Sequence, residues 1–293
     1  MTPLNRPRSS RELDRRRFLA LAALGIPAAI VSCASPPTQI VATTESQALP
    51  SAAAPPPETA PASLPQWDRA PSRWGTELPG VQTLVPTTSQ KRTMALTFDV
   101  CGGPGGSSLD RPLIATLRNF AVPATLFLNE RWLHTNPREA AELREDPLFR
   151  IENHGSLHVP LSVTGRPAYG IAGTPDPSAV VHEIDSNRQL LSSALGVDSR
   201  WFRAGTAHYD DVAIAIAHDL GVRIAGFAVN ADAGATASAG TVSRQLRTAP
   251  DGAIVLAHAN QPHSATAEGV KSALSLLTSD GCRFVHLDDM DAL

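Results

Sequence analysis

Residues 93–106 read Thr-Met-Ala-Leu-Thr-Phe-Asp-Val-Cys-Gly-Gly-Pro-Gly-Gly. The first seven residues of this stretch form a short apolar run that ends on a carboxylate, Asp99, and such a run is typical of a buried strand. The glycine-rich turn that follows lets the backbone approach a site closely. It lacks the lysine and the Ser or Thr of a phosphate-binding loop. We therefore predict a strand with functional residues just past its C-terminal end.

Similar apolar runs recur along the rest of the chain and alternate with helical stretches. The six further predicted strands are 124–128, 150–152, 201–203, 223–229, 253–258 and 283–287. The predicted helices are 110–119, 138–144, 178–195, 209–220, 241–247 and 265–278. This alternation predicts an α/β fold with a parallel sheet and right-handed crossovers. Seven strands in about 210 residues fit a small, incomplete (β/α)7 barrel better than a complete eightfold one.

The first 33 residues have the composition of an export signal. Residues 15–19 read Arg-Arg-Arg-Phe-Leu and lead into an apolar stretch that ends at Val31. The paired arginines resemble a twin-arginine signal, and Ile30-Val31-Ser32-Cys33 resembles a bacterial lipobox. We expect residues 1–33 to be a signal peptide and Cys33 to be lipidated, which would anchor the exported protein to the outer face of the cytoplasmic membrane. The alternative is that Cys33 only lies near an ordinary cleavage site.

Residues 34–72 are rich in Ala, Pro, Ser and Thr and cannot bury enough apolar surface to fold. We predict a disordered, extended linker there and a catalytic domain over residues 73–293. Residues 33–293 contain 19 basic and 26 acidic residues, and this net charge of −7 argues against a nucleic-acid partner. No apolar run approaches the eighteen residues of a membrane span, and three cysteines are too few for a disulfide scaffold.

Polar residues follow most of the predicted strands at the point where each strand ends. In parallel α/β folds these ends share one rim, where the chemistry collects. Two imidazoles four residues apart can converge on one metal ion. The rim residues are Asp99 after the first strand, His154 and His158 after the third, Arg203 after the fourth, Asp232 after the fifth and His258 after the sixth.

The order of these motifs resembles the polysaccharide deacetylases, carbohydrate esterase family 4, whose type members are chitooligosaccharide deacetylases. The resemblance covers residues from about 90 to 290 and rests on Thr-Phe-Asp at 97–99, His-x-x-x-His at 154–158, Phe-Arg at 202–203, Asp232 and Leu-Ala-His at 256–258. It implies a distorted barrel of about seven strands. It also implies metal-dependent hydrolysis of N-acetyl groups, or O-acetyl groups, on a polysaccharide such as peptidoglycan or a chitin-like glycan.

The resemblance also implies roles for the rim residues. His154 and His158 would hold the metal, and Asp99 would be the catalytic base. Arg203 would fix and charge-balance Asp99, and Asp232 would orient Arg203 in turn.

The remaining roles concern the leaving group and the substrate. His258 would be the general acid that protonates the leaving amine. Leu256 would line the pocket for the acetyl methyl group, and backbone N–H groups around Thr206 would stabilise the oxyanion. His208 and Tyr209 lie near the rim, where we expect Tyr209 to contact substrate.

One position departs from the family pattern. The family has two successive aspartates after Thr-Phe, the second of which is the third metal ligand, and Val100 stands in that place here. Either two histidines and waters hold the metal, or Asp99, Cys101 or Asp232 substitutes. A Cys101 thiolate would suit zinc, although Cys101 is also readable as a small residue packed under the glycine turn. We expect a divalent metal, zinc first, with cobalt or nickel as alternatives.

Two rival functions stay open at this point. The same fold could hydrolyse another amide or ester bond, because fold alone does not specify the reaction. Val100 instead motivates a non-catalytic protein that binds wall glycan. Tyr169, in Pro-Ala-Tyr-Gly at 167–170, is a further candidate for a loop over the groove.

Overall fold

The computed structural model describes residues 67–87, 91–287 and 289. The predicted signal peptide with Cys33, and residues 34–66 of the predicted linker, lie outside the described residues. Every described residue falls within the compact unit that spans residues 57–293.

Short strands alternate with helices along the described chain. The strands are β1 (Trp74–Gly75), β2 (Val81–Gln82), β3 (Thr93–Val100), β4 (Ala124–Leu128), β5 (Phe149–Asn153), β6 (Trp201–Phe202), β7 (Tyr209–Asp210), β8 (Arg223–Ala225), β9 (Val229–Asn230), β10 (Ala253–His258) and β11 (Arg283–Phe284). The helices are α1 (Arg111–Asn119), α2 (Glu130–Thr135), α3 (Pro137–Glu145), α4 (Pro177–Leu195), α5 (Asp211–Asp219), α6 (Ala239–Thr248) and α7 (Thr266–Ser279).

Nine of these strands form one curled parallel sheet. Its order is β2-β8-β6-β5-β4-β3-β10-β9, with β11 also paired to β3. Every strand pair in this sheet is parallel, so the carboxyl ends of the strands face the same rim. Separately, β1 and β7 form a two-stranded antiparallel sheet. The predicted α/β class and distorted, incomplete barrel are confirmed.

The two faces of β3 pack into different parts of the core. Met94, Leu96, Phe98 and Val100 belong to the large apolar cluster between the sheet and its helices. Ala95 belongs instead to a smaller cluster with residues of β4, β6, β8 and β10. Side chains alternate between the two faces of a strand, so the odd-numbered residues of β3 point into the concave interior of the sheet.

Several strands and helices begin or end at residues other than those predicted. The predicted strand 223–229 is two strands, β8 and β9, and the predicted helix 209–220 begins only at Asp211 because Tyr209 and Asp210 form β7. The short elements β1, β2 and α2 were not predicted, since two to six residues carry too little periodicity.

The folded part also begins before residue 73. Trp67 is buried, and its indole Nε1 donates to Asp219 Oδ2 at 2.8 Å. Arg69 Nη1 lies 2.7 Å from Asp211 Oδ2, and the backbone N–H of Ser72 donates to the other oxygen of that carboxylate. Residues 67–72, placed in the linker from composition, therefore pack on α5. No helix in the described part of the chain is long and apolar enough to cross a bilayer.

Candidate active site

The pairing register of the strands places the predicted rim residues side by side at the C-terminal edge of the sheet. His258, the last residue of β10, pairs with Asp99 of β3 across the ladder. Asn153, the last residue of β5, pairs with Phe202 of β6, so the loop with His154 lies beside Arg203. The C-terminal ends of these four strands therefore supply the charged groups of the site.

Three side chains form a cluster with metal-ligand chemistry. Cys101, His154 and His158 each offer one ligand atom, and these atoms lie within 4.8 Å of one another. Cys101 Sγ is 3.6 Å from His154 Nε2. Imidazole nitrogen and thiolate sulfur are the donors that zinc prefers.

The surroundings of the two histidine rings fit a role as metal ligands. His154 Nδ1 lies 2.8 Å from the carbonyl oxygen of Arg203, which fixes this nitrogen as the N–H donor and leaves the lone pair on Nε2. His158 Nε2 is buried and has no hydrogen-bond partner. A buried ring nitrogen without a partner is costly unless something binds it, so the cluster fits a metal ion.

Val100 and Cys101 lie on opposite sides of β3 at its C-terminal end. Val100 is fully buried in the apolar cluster on the helix side of β3 and cannot reach the histidines. The next residue, Cys101, lies on the opposite side and presents its sulfur to them. Of the three substitutes considered for the third ligand, only Cys101 belongs to this cluster.

The surroundings of Cys101 favour its thiolate. Burial alone would raise the pKa of the thiol, but hydrogen bonds from His154, His158 and His258 outweigh it and hold that pKa well below its usual range. The thiolate is the form of cysteine that binds metals.

Asp99 and Arg203 form a buried ion pair beside this cluster. Arg203 Nη1 donates to Asp99 Oδ1 at 2.9 Å, and both residues are buried. Burial opposes ionisation of Asp99, but the charges of His154, Arg203 and His258 outweigh it and lower its pKa. Asp99 Oδ2 lies 3.6 Å from His154 Nε2. Asp99 is thus an ionised carboxylate with one oxygen tied to Arg203 and the other facing the cluster.

His258 and Asp232 form a second charged pair. His258 Nδ1 lies 2.9 Å from Asp232 Oδ1, and the other oxygen, Oδ2, accepts from the His258 backbone N–H and from Thr266 Oγ1. Burial lowers the pKa of His258, but the hydrogen bond to Asp232 and the contact with Cys101 outweigh it and raise that pKa well above its usual range. His258 is therefore held as an imidazolium that can donate a proton.

The predicted contact between Asp232 and Arg203 is replaced by other partners. Besides Asp99, Arg203 donates to the carbonyl oxygens of Ala225 and Gly226. Its guanidinium carbon lies 4.4 Å from the centre of the Phe127 ring. These contacts hold Arg203 without Asp232, whose carboxylate is occupied by His258 and Thr266.

An open cleft leads to the catalytic groups. It has a volume of about 460 Å³, within the roughly 300–1,000 Å³ of small-molecule sites. We call it the active-site cleft; its lining includes Asp99, Tyr169, Ile171, Thr206, Phe227, Leu256 and His258. Leu256 and Thr206 therefore line the same cleft as Asp99 and His258.

Tyr209 does not line this cleft. Its side chain is fully buried in an apolar cluster, and its hydroxyl accepts a hydrogen bond from the backbone N–H of Ala204. Burial raises the pKa of Tyr209, opposed by that hydrogen bond. The substrate contact predicted for Tyr209 does not fit this position, because β7 points the ring inward. Tyr169 is the tyrosine on the cleft wall.

Glu183 holds the loop that carries His158, and sequence reasoning missed it. This buried carboxylate of α4 accepts from the backbone N–H of Leu157 at 2.8 Å, from that of His158 at 2.9 Å and from Ser156 Oγ at 2.9 Å. The backbone N–H of Ser156 in turn donates to the Glu183 carbonyl. The loop that carries His158 is thus fastened to a helix 25 residues away in sequence.

Two further groups shape the same loop. Asn129, at the end of β4, donates from Nδ2 to the carbonyl oxygens of His154 and Gly155 at 2.9 and 2.7 Å. Gly205 lies so close to His158 that a Cβ on it would be 2.5 Å from the imidazole Cγ. Asn129 could have been found as a polar residue at a strand end, whereas Glu183 lies in a helix whose sequence gives no such signal.

The comparisons with known proteins agree with this arrangement. The family model "Polysaccharide deacetylase" matches residues 87–225, which include Asp99, His154, His158 and Arg203. Over these residues the chain is similar to the polysaccharide deacetylases. Asp232 and His258 lie beyond the matched residues, and the structure brings them to the same site.

One curated relative is the peptidoglycan-N-acetylglucosamine deacetylase PgdA of Listeria monocytogenes. It is 27% identical over 207 residues, which are 70% of this chain and 40% of that protein. The chain therefore spans less than half the length of the curated relatives it matches.

Solved structures share the fold of this chain. Bacillus subtilis PdaA, a family 4 carbohydrate esterase, superposes with a TM-score of 0.60 at 19% identity, over 73% of this chain and 85% of that one. BA3943 from Bacillus anthracis, described as a CE4 family pseudoenzyme, superposes with a TM-score of 0.58 at 21% identity, over 69% of this chain and 66% of that one. These likenesses establish the shared fold.

Proposed function

We propose that this protein is a metal-dependent deacetylase that hydrolyses N-acetyl groups, with O-acetyl groups as the second class, on cell-wall or exported polysaccharide. One observation carries the proposal: a Cys101, His154 and His158 cluster meets two charged pairs at one rim of the sheet. The name of the Listeria monocytogenes relative supports peptidoglycan as the glycan, with chitin-like glycan as the alternative.

The metal site of this proposal consists of Cys101, His154 and His158, with zinc as the favoured ion and cobalt or nickel as alternatives. A divalent metal supplies a Lewis acid that polarises the acetyl carbonyl and makes water more acidic. The chain's own part is to hold His154 Nε2, a ring nitrogen of His158 and Cys101 Sγ close to one another.

Asp99 takes the proton of the attacking water in this mechanism. Oδ1 is held by Arg203, so Oδ2 is the oxygen that accepts the proton while the new C–O bond forms. The cost of burying the carboxylate is offset by the Arg203 charge, which also keeps Asp99 ionised at neutral pH.

His258 completes the reaction at the leaving group. Its Nδ1 is held by Asp232, so Nε2 is the nitrogen that donates a proton to the departing amine when the C–N bond breaks. The products are acetate and a free amino sugar. Leu256 forms an apolar part of the cleft wall suited to the acetyl methyl group, and the Thr206 segment lies beside it as the candidate oxyanion donor.

Acetate release from the full-length chain tests the proposal. The substrates are N-acetylated chitooligosaccharides and peptidoglycan fragments, each with chelator, with zinc and with cobalt, and an O-acetylated sugar as a third arm. We expect release that chelation abolishes and metal restores. A folded sample that binds glycan but releases no acetate under any metal would overturn the proposal in favour of a glycan-binding protein.

We also propose that the chain is exported and anchored by a lipid on Cys33. The arginine-rich segment, the apolar stretch and the Ile-Val-Ser-Cys sequence at 30–33 support this. Labelling of cells with a radioactive fatty acid should mark the protein, and Cys33→Ser should abolish the label. Equal labelling of both forms would contradict the proposal.

A further inference from the structure

Tyr169 is an exposed aromatic ring on the wall of the active-site cleft. It is 81% exposed, the highest value among the large apolar side chains of the described residues. It lines the same cleft as Asp99 and His258. A large apolar side chain that stays in water at the mouth of a site commonly marks a binding surface.

The backbone holds Tyr169 in this exposed place. Ala168 and Ile171 exchange two backbone hydrogen bonds of 3.0 and 2.9 Å, which makes Tyr169 and Gly170 the two central residues of a tight hairpin turn. Both have positive φ, +52° at Tyr169 and +76° at Gly170. Such turns favour Asn-Gly, so a tyrosine at the first position is a strained choice. Strain of this kind is concentrated at functional sites.

The base of this loop is well fixed. Ser162 is buried, and its Oγ accepts from the backbone N–H of Thr164 and of Arg166, both at 3.1 Å. The backbone N–H of Ser162 donates to Thr174 Oγ1 at 2.8 Å. The turn that carries Tyr169 is therefore built on a rigid support, which lowers the cost of ordering it when a ligand binds.

A short row of rings extends from Tyr169 along the cleft rim. The Tyr169 ring meets His208 edge to face with centres 5.2 Å apart, and His208 meets Trp74 at 5.7 Å. The Arg166 guanidinium lies 5.2 Å from the centre of the Trp74 ring. These contacts orient the Tyr169 ring from one side and leave most of it open to the cleft.

We propose that Tyr169 stacks on the pyranose ring next to the sugar that is deacetylated, and so selects oligomeric glycan over single sugars. This proposal rests on the proposed function for the identity of the ligand. One face of a pyranose presents C–H groups that pack on an aromatic ring, while its hydroxyl groups stay in water. Tyr169 offers such a ring beside the catalytic groups of the same cleft.

The structure offers variants that remove the ring without damaging the turn. Tyr169→Asn keeps a residue that tolerates the left-handed conformation, so the melting temperature should not fall. Tyr169→Phe keeps the ring. Leu276→Asn is the matched control, since Leu276 is 44% exposed but lies on α7 and is not part of the cleft lining.

The test compares N-acetylglucosamine tetramer with the monomer on the full-length chain. For Tyr169→Asn we expect KM for the tetramer to rise roughly 3- to 10-fold with kcat nearly unchanged, and monomer kinetics to stay as in the wild type. Tyr169→Phe and Leu276→Asn should match the wild type on both substrates. An unchanged tetramer KM, or equal losses on tetramer and monomer, would overturn the proposal.

A binding measurement separates this proposal from the proposed function. In an Asp99→Asn background, calorimetric titration with the tetramer should show Tyr169→Asn weakening Kd by the same factor as KM. If Tyr169→Asn weakens tetramer binding but the chain that retains Asp99 releases no acetate, the stacking site stands and the deacetylase is refuted. Acetate release with unaltered tetramer binding in Tyr169→Asn would leave the deacetylase standing and refute the stacking site.

Discussion

The two faces of β3 carry opposite kinds of residue into opposite surroundings. On the helix side, Phe98 and Val100 are sealed in the large apolar cluster. On the concave side, Asp99 pairs with Arg203, and Cys101, just past the strand end, meets two histidines. The strand thus stabilises the domain with one face and builds the site with the other.

This difference bears on the third ligand of the proposed metal site. The family places its third ligand where this chain has Val100, yet here that position points into the apolar core. Because side chains alternate along a strand, Cys101 returns to the face on which Asp99 lies. In the proposed metal site, Cys101 therefore takes the place of the second aspartate, with a thiolate instead of a carboxylate.

The largest expected effect on stability comes from placing a charge on the face of β3 that packs against the helices. Val100→Asp would bury a carboxylate without a partner and should lower the free energy of unfolding by on the order of 3–5 kcal/mol. Cys101→Asp, one residue away, should cost far less, since its side chain faces the histidines. Urea unfolding of both variants measures this, and equal stability of the two would contradict the assignment of the faces.

Asp99→Asn tests the catalytic role on the concave face. The amide cannot accept the proton of water, so kcat for acetate release should fall by roughly 10²–10⁴-fold. Metal content, measured by atomic emission, should stay at the wild-type value because Asp99 is outside the ligand cluster. A variant that loses its metal in parallel with its activity would show that Asp99 is a ligand instead.

Glu183→Gln tests whether Glu183 positions the loop that carries His158. Oε2 now accepts from the backbone N–H of Leu157 and Oε1 from that of His158. The amide nitrogen of glutamine cannot accept, so one of these bonds is lost and the His158 loop should loosen. We expect zinc affinity, measured by competition with a chromophoric chelator, to fall by roughly 10–100-fold. Glu145→Gln, at an exposed ion pair with Arg144, is the control and should bind zinc as the wild type does. Unchanged affinity in Glu183→Gln would remove its positioning role.

The smallest effect is expected at Thr97, a polar residue on the concave face that lies away from the chemistry. Its Oγ1 donates to the Val255 carbonyl oxygen at 2.6 Å. Thr97→Val should lower the free energy of unfolding by about 1 kcal/mol and leave kcat unchanged. A large loss of kcat in this variant would mean that residues of the concave face beyond the two ion pairs affect catalysis, and it would contradict this prediction.

The strands and the rim were predictable because they rest on local patterns. The apolar run 93–99 and its terminal carboxylate mark a strand end, and parallel alternation brings such ends to one edge. Asp99, His154, His158, Arg203 and His258 all lie at this edge in the structure.

The partners of these residues were less predictable. Asp232 binds His258 where the resemblance suggested support of Arg203, because the register of β10 and the loop after β9 decides which group it reaches. Tyr209 is buried because β7 pairs with β1, an element too short to predict. Glu183 acts from a helix far along the chain, and only the fold reveals it.

The absorption spectrum of the cobalt-substituted protein tests the central claim most directly. A thiolate ligand gives a charge-transfer band in the near ultraviolet that nitrogen and oxygen ligands do not give. We predict this band at one cobalt per chain, its loss in Cys101→Ser, and its retention in Cys282→Ser, where the cysteine lies before β11. One bound cobalt without the band, or an unchanged band in Cys101→Ser, would contradict the relocation of the ligand to Cys101.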